Sequence, residues 1–247
     1  MRRRLALPAL LVLAAGLTWA AFALPDPAAR PGDVARKSTT IAVHERHVTD
    51  AVSAVTFDLR GLDTLGEELI LFTAAIGTTV LLRAQRGERR ADEAADREDQ
   101  ARAGLPAPLR VLGAWLVGPA LVLGGYIVTH GHLTPGGGFQ GGIILAAALL
   151  LVFAAGHLLA VERLRPVALV EVAEAVGAGA FAIVALGGLV FGAAALANVL
   201  DLGTSGDLWS GGTIPVLNVA VGLEVAGALT LIVSELLDQA LLRGPRE

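Results

Sequence analysis

His130-Gly-His-Leu-Thr-Pro-Gly-Gly-Gly-Phe-Gln-Gly-Gly142 is a polar, glycine-dense turn between two apolar runs that are each long enough to cross a bilayer. Five of the seven residues from Gly136 to Gly142 are glycines. Because glycine has no Cβ atom, such a segment allows two backbones to approach closely. The stretch predicts a membrane protein with a close-packed hairpin, in which the turn lies against a neighbouring helix or subunit.

The composition favours a bilayer as the solvent of this chain. Its 247 residues are 54% apolar and 17% charged, and a mean hydropathy of +0.65 is too high for an ordinary soluble domain. A net charge of −4 excludes a globally basic nucleic-acid-binding protein. The sequence contains no Cys, which excludes disulfides, thiolate nucleophiles and iron–sulfur ligation. We expect an all-α integral membrane protein in contact with lipid, with no cofactor and no nucleic-acid partner.

Six apolar segments are long enough for transmembrane helices, since a hydrocarbon core of about 30 Å needs about 20 helical residues. They are residues 5–24, 65–82, 109–128, 139–161, 167–196 and 214–237. A stretch of alternating charges, 86–107, is predicted to be a cytoplasmic linker. It divides the chain into an N-terminal unit, 1–85, with an anchor, an external loop and the second span, and a four-helix membrane domain, 108–247.

Lys and Arg residues predict the orientation. With six spans both termini share one side, and that side carries 14 of the 19 basic residues, which the positive-inside rule assigns to the cytoplasm. We expect a multi-pass protein of the plasma membrane with both termini cytoplasmic. Alternatively the first span is a signal peptide, because Arg2 to Arg4 precede it and Ala21-Phe-Ala23 has the form of a cleavage site.

Glu224 stands near the middle of the last predicted span. A carboxylate at that depth costs about 3 kcal/mol or more unless it is protonated, hydrated or paired. Neither the fifth nor the sixth predicted span contains Lys or Arg, so a partner must come from elsewhere. A role in ion or proton transfer is the default hypothesis, and the alternative is a neutral side chain packed against another subunit.

Three further titratable residues in the spans are candidates for a proton path. Glu171 and Glu174 lie three residues apart, on one face at the start of the fifth span, where paired acids suit proton uptake and release. A purely structural role at the helix N-terminus is the alternative. His157, near the cytoplasmic edge of the fourth span, either relays a proton or reaches to the interface.

The two imidazoles of the turn do not predict a metal site. His130 and His132 lack a clear third ligand, and we expect them to cap helix ends and to bond backbone, with Gln140 supplying a further amide. At the start of the last span, Pro215 fits the first turn of a helix and Asn218 fits an amide that bonds across helices.

Phe57-Asp-Leu-Arg-Gly-Leu-Asp-Thr-Leu-Gly-Glu67 precedes the second span. Helix-start chemistry accounts for its polar residues. The predicted contacts are a local Asp58 to Arg60 pair, a cap from Asp63 or Thr64, and Glu67 as a capping-box acid. Alternatively, Glu67 or Glu68 faces a protein-lined cavity on the external side, and Asp58 and Asp63 are further candidates for an ion or proton path.

Two blocks together resemble a known family. The glycine turn with its following span, plus Ile214-Pro-Val-Leu-Asn218 and Gly222-Leu-Glu224, resembles the B subunit of Mrp-type (multiple resistance and pH) cation/proton antiporters. The motif from Phe57 to Glu67 is similar to the C-terminal part of the large A subunit of those complexes, and to the related small subunit of membrane-bound hydrogenases. The chain thus resembles a fusion of two small subunits.

The resemblance implies an accessory subunit of a multisubunit antiporter that exchanges sodium for protons, beside large partner subunits similar to the channel subunits of respiratory complex I. It implies roles for Asp58, Arg60, Asp63, Gly66 and Glu67, for His130, His132, Pro135, Gly136, Gly137, Gly138, Phe139 and Gln140, and for Pro215, Asn218 and Glu224. Glu67 and Glu224 are the acids expected to carry ions or protons, and the turn is expected to form a subunit contact. Glu68 departs from the pattern and leaves open which adjacent acid points inward.

Two other functions remain open at this stage. One is a subunit in the ion-pumping arm of a membrane-bound hydrogenase or a related complex I-like oxidoreductase. The other is a scaffold that only holds channel subunits together. In each case this chain is a part of a transport complex and is not itself an enzyme.

Overall fold

The computed structural model describes residues 12, 14–19, 22–23, 32–82, 106–154, 167–192 and 194–242. The chain forms two compact units, Met1–Lys37 and Ser38–Glu247. In the first unit, residues 14–19 are helical. Every regular element of the described ranges is a helix, so the predicted all-α fold is confirmed.

The described residues form seven α-helices and two π-helical turns. The α-helices are α1 (Asp33–Thr40), α2 (Ala51–Ala54), α3 (Gly61–Leu82), α4 (Ala107–Thr129), α5 (Gly138–Ala154), α6 (Val167–Phe191) and α7 (Ile214–Leu242). The π-helical turns, Ile41–Glu45 and Val55–Leu59, follow α1 and α2. Four helices, α3, α4, α6 and α7, are long and apolar enough to cross a membrane, and α5 is apolar but shorter over its described part.

Most predicted spans agree with these helices, with three main differences at their ends. Helix α7 continues to Leu242, beyond the predicted end at Leu237. The second span begins at Gly61 instead of Leu65, because the irregular backbone of Arg60 ends the preceding π-turn. The fifth span ends at Phe191 instead of Leu196, because the chain turns there and Leu196 adopts a positive φ of 60°. Most of the first span, the end of the fourth and linker residues 86–105 lie outside the described residues, and the predicted domain division stays a prediction.

Helix α7 is the central helix of the second unit. It packs against α3, α5 and α6, and more lightly against α4. Its buried side chains include Leu217, Val221 and Val225. They belong to a core in which the ring of Phe57, from the second π-turn, lies 6.4 Å from the ring of Phe181 on α6. Polar groups on the inner faces of α7 are therefore shielded from lipid by other helices.

The glycine turn joins α4 to α5 and packs as the sequence predicts. A methyl group at Gly138 would lie 2.5 Å from the carbonyl oxygen of Asn218, and one at Gly142 would lie 2.7 Å from Cβ of Val225. Gly137 also has a φ of 130°, which side-chain-bearing residues rarely adopt. The turn thus lies against α7 within the same chain.

Asn218 of α7 connects three parts of the second unit. Its Oδ1 accepts a hydrogen bond from the backbone N–H of Gly138 (2.9 Å) at the start of α5. Its Nδ2 donates to the hydroxyl of Ser53 (2.9 Å) in α2 and to the carbonyl of Ile214 (3.3 Å). The predicted cross-helix amide is confirmed, and it ties the segment before α3 to the C-terminal bundle.

A second set of hydrogen bonds holds the same two regions together. The backbone N–H groups of Thr49 and Asp50 both donate to the carbonyl of His132, at 3.2 Å. His47 places its Nδ1 2.6 Å from the carbonyl of Gly203, in the loop before α7. The segment that leads into α2 is thus bonded to both loops at this end of the bundle.

We predict that Asn218→Leu destabilises the protein strongly. The change leaves the Gly138 N–H and the Ser53 hydroxyl without their partner, at a cost of about 1–3 kcal/mol for each buried group. The measurement is the thermal unfolding midpoint of the detergent-solubilised protein. The control is Gln140→Leu, which also replaces a side-chain amide by leucine but at an exposed position. Equal midpoints for the two variants would contradict this role of Asn218.

Candidate functional site

Three glutamates lie in the interior of the bundle, one on each of three neighbouring helices. Glu68 of α3, Glu174 of α6 and Glu224 of α7 are exposed by only 2%, 4% and 0%. We call these three residues the acid cluster. The carboxyl group of Glu68 lies near that of Glu224, and Glu174 is near enough to Glu224 for the two charges to influence each other. Glu68 and Glu224, which are 156 positions apart in the sequence, are thereby brought close to each other.

The acid cluster has no basic partner among the described residues. The ion pairs of these ranges are formed by Arg36, Arg46 and Arg60, with acids at or before Asp63. No carboxyl oxygen of Glu68 or Glu224 has a hydrogen-bond partner in the described part of the chain. An unpaired charge in such an interior costs several kcal/mol. A proton, a cation or a group outside the described residues must therefore neutralise the cluster.

The structure separates the two adjacent acids of α3. Glu67 is exposed, whereas Glu68 is buried against Glu224. The buried residues of α3, which are Gly61, Thr64, Glu68 and Ala75, share one face of the helix. The sequence analysis expected Glu67 to carry ions or protons, whereas Glu68 is the acid of α3 that lies in the interior beside Glu224.

Two local predictions for the same motif are wrong. Asp58 pairs with Arg46 instead of Arg60, with an Arg46 Nε to Asp58 Oδ2 distance of 2.6 Å, and Arg60 pairs with Asp63. The cap from Asp63 or Thr64 does not form, because α3 already begins at Gly61. The Thr64 hydroxyl instead donates to the carbonyl of Thr56 (2.6 Å), in the second π-turn.

The remaining titratable candidates are not part of the acid cluster. Glu171 is half-buried on α6, one turn before Glu174. It contributes a like charge near Glu174. His157 lies outside the described residues. Its predicted relay role stays a prediction.

The two turn histidines have different surroundings. His130 caps the end of α4 through its backbone N–H to the carbonyl of Tyr126 (2.9 Å), and its ring stacks on the Tyr126 ring at 4.2 Å. His132 is fully buried beside the backbone of Asp207 and Leu208. Burial lowers the pKa of His132 and outweighs the opposing effect of these backbone groups. The described residues contain no group of three or more His, Asp or Glu side chains that could hold a metal ion.

The other predicted residues of the turn and of the start of α7 differ in how far they are exposed. Pro135 and Gln140 are exposed, and Phe139 is half-buried against the core. Pro215 lies in the first turn of α7 and is buried. The glycines of the turn pack within the chain. The predicted contact of this turn with another subunit would therefore use the exposed Pro135 and Gln140. That contact stays a prediction.

Comparisons with known proteins extend these findings. Residues 108–231 match a family described as a domain related to the MnhB subunit of Na⁺/H⁺ antiporter. An uncharacterized protein of Methanocaldococcus jannaschii is 30% identical over 200 residues, which are 74% of this chain and 75% of that protein.

Two solved structures contain similar chains. A chain in the membrane-bound sulfane sulfur reductase, an archaeal respiratory membrane complex, has a TM-score of 0.70 and 29% identity, over 96% of this chain and 99% of that one. A chain in the Mrp complex from Dietzia sp. DQ12-45-1b has a TM-score of 0.66 and 23% identity, over 96% of this chain and 26% of that one. This similarity shows that the two chains share a fold over the matched part.

The family match begins in α4, ends in α7 and includes Glu174, Asn218 and Glu224. The predicted resemblance of the C-terminal spans to an antiporter B subunit is confirmed. Together with the four apolar helices of spanning length, the match identifies a multi-pass membrane protein. The chain belongs to the family of domains related to the MnhB subunit of Na⁺/H⁺ antiporters.

Proposed function

We propose that this protein is an accessory subunit of an Mrp-type monovalent cation (sodium)/proton antiporter, driven by the proton motive force and located in the plasma membrane with both termini cytoplasmic. Its family membership supports a place in a cation/proton antiporter module. Its partners are other membrane subunits, including large channel subunits similar to those of complex I. The chain itself catalyses no covalent reaction.

The observation that carries this proposal is the acid cluster. Three helices each place one carboxyl group in the same interior, and the described chain supplies no cation to neutralise them. Apolar residues at these positions would avoid the cost of burying charge. Ionisable residues inside a membrane domain commonly mark ion or proton pathways. The cluster is therefore suited to accept and release a proton or a monovalent cation.

A second candidate is a subunit in the ion-pumping arm of a respiratory oxidoreductase, such as a membrane-bound hydrogenase. The chain of similar fold and nearly complete coverage in the sulfane sulfur reductase complex favours it. In that assembly the redox reaction would occur in partner subunits, since this sequence has no Cys to ligate an iron–sulfur cluster. The role of the acid cluster would be the same in both assemblies.

We predict that Glu68→Gln, Glu174→Gln and Glu224→Gln each lower sodium-dependent proton exchange about tenfold or more, because each removes a titratable group from the cluster. The measurement is exchange by the assembled complex in membrane vesicles, normalised to the amount of complex. Glu67→Gln is the matched control, since it makes the same change at the adjacent exposed position. Exchange at the full wild-type rate by assembled Glu224→Gln would remove this residue from the mechanism.

We also predict the composition of the native complex. Gentle purification from membranes, followed by mass spectrometry, should recover this chain with large channel subunits and without hydrogenase or ferredoxin-type subunits. Recovery of those redox subunits would select the second candidate function. A chain that purified alone and exchanged ions after reconstitution would contradict an accessory role.

A further inference from the structure

The same four-residue pattern occurs in the two helices that carry Glu174 and Glu224. It is Glu174-Ala-Val-Gly177 in α6 and Glu224-Val-Ala-Gly227 in α7. A residue three positions after another lies on nearly the same face of a helix. Both acids and both glycines are buried. Each helix therefore presents an acid and a glycine side by side toward the bundle interior.

Each of these glycines lies against the acid of the other helix. A methyl group at Gly177 would lie 2.6 Å from the backbone nitrogen of Glu224 and 2.8 Å from its Cβ. A methyl group at Gly227 would lie 2.9 Å from both the backbone nitrogen and the Cβ of Glu174. The obstructing atoms include backbone, which cannot rotate away as a flexible side chain can. A side chain at either position would force α6 and α7 apart where the acids lie.

Two other glycines of α6 are not packed in this way. Gly179 and Gly187, also on α6, have no atom within 4 Å of the place where a methyl group would stand. A glycine-rich helix thus contains both a tightly packed glycine and open ones. The open glycines provide matched positions for a test.

We propose that Gly177 and Gly227 are positioning residues for ion exchange, which fix the distance between Glu174 and Glu224 so that the two carboxyl groups titrate as a coupled pair. This inference rests on the proposed function of the acid cluster. At the crossing each backbone can approach the other, because neither glycine bears a side chain. A wider crossing would weaken the interaction between the two acids and admit other groups between them.

The charged and titratable surroundings of Glu224 are limited in the described residues. Helix α5 contains no titratable residue, and α4 carries Arg110 and Tyr126, both exposed. From α3, Glu68 faces Glu224, and Glu67 is the next residue along that helix. From α6, Glu174 faces Glu224, and Glu171 lies one turn earlier. Asp58 of the second π-turn is paired with Arg46.

The test compares Gly177→Ala and Gly227→Ala with Gly179→Ala in the assembled complex. Sodium-dependent proton exchange is measured across pH and expressed per amount of complex. We expect the two packed-glycine variants to lose about tenfold in rate and to move the pH of half-maximal exchange by about half a unit or more. Gly179→Ala should match the wild type, because its methyl group meets no neighbour.

A purely structural role would lower the amount of complex and leave the pH profile per complex unchanged, which would overturn the proposal. Glu174→Gln provides a second test that does not change the helix crossing. It should move the pH profile, and a wild-type profile in this variant overturns the proposal even where the glycine variants do not assemble. If Glu224→Gln loses exchange but Gly177→Ala keeps the wild-type pH profile, only the proposal about the glycines is refuted. If Glu224→Gln keeps full exchange, the proposed function itself is refuted.

Discussion

The burial of three carboxyl groups in the interior between α3, α6 and α7 is the main constraint on this structure. Glu68, Glu174 and Glu224 lie in the interior, and the described chain provides no basic side chain beside them. Burying even one uncompensated charge costs a large part of the stability of a typical domain. Such an arrangement persists only where a proton, a cation or a group outside the described residues neutralises it.

The surrounding packing explains how this arrangement is held. Asn218 bonds the start of α5 and the hydroxyl of Ser53 to α7, which brings the segment before α3 against the bundle. The glycine turn allows α5 to lie close to α7, and the glycines of α6 and α7 allow these two helices to cross closely at the acids. Small side chains and a buried amide are characteristic of helix contacts in membranes, where lipid supplies no hydrophobic driving force between helices.

Much of the fold was predictable, because the length and apolar character of α3, α4, α6 and α7 are local properties of the sequence. The packing role of the glycine turn and the cross-helix bond of Asn218 also followed from residue type. The Asp58 to Arg46 pair did not, because it joins residues 12 positions apart across a π-turn that local spacing does not reveal. The choice of Glu68 over Glu67 could not be predicted, because the two acids are adjacent and only the tertiary structure shows which face of α3 lies against Glu224.

The central claim is that the acid cluster holds an exchangeable proton or cation in an apolar interior. The most direct test is labelling of the assembled complex in native membranes with an apolar carbodiimide, which reacts with protonated carboxyl groups, followed by mass spectrometry of the α3, α6 and α7 peptides. We predict label on Glu68, Glu174 or Glu224, and a labelling rate that falls as the sodium concentration rises. Absence of label from all three residues, or a rate that no cation changes, would contradict the account.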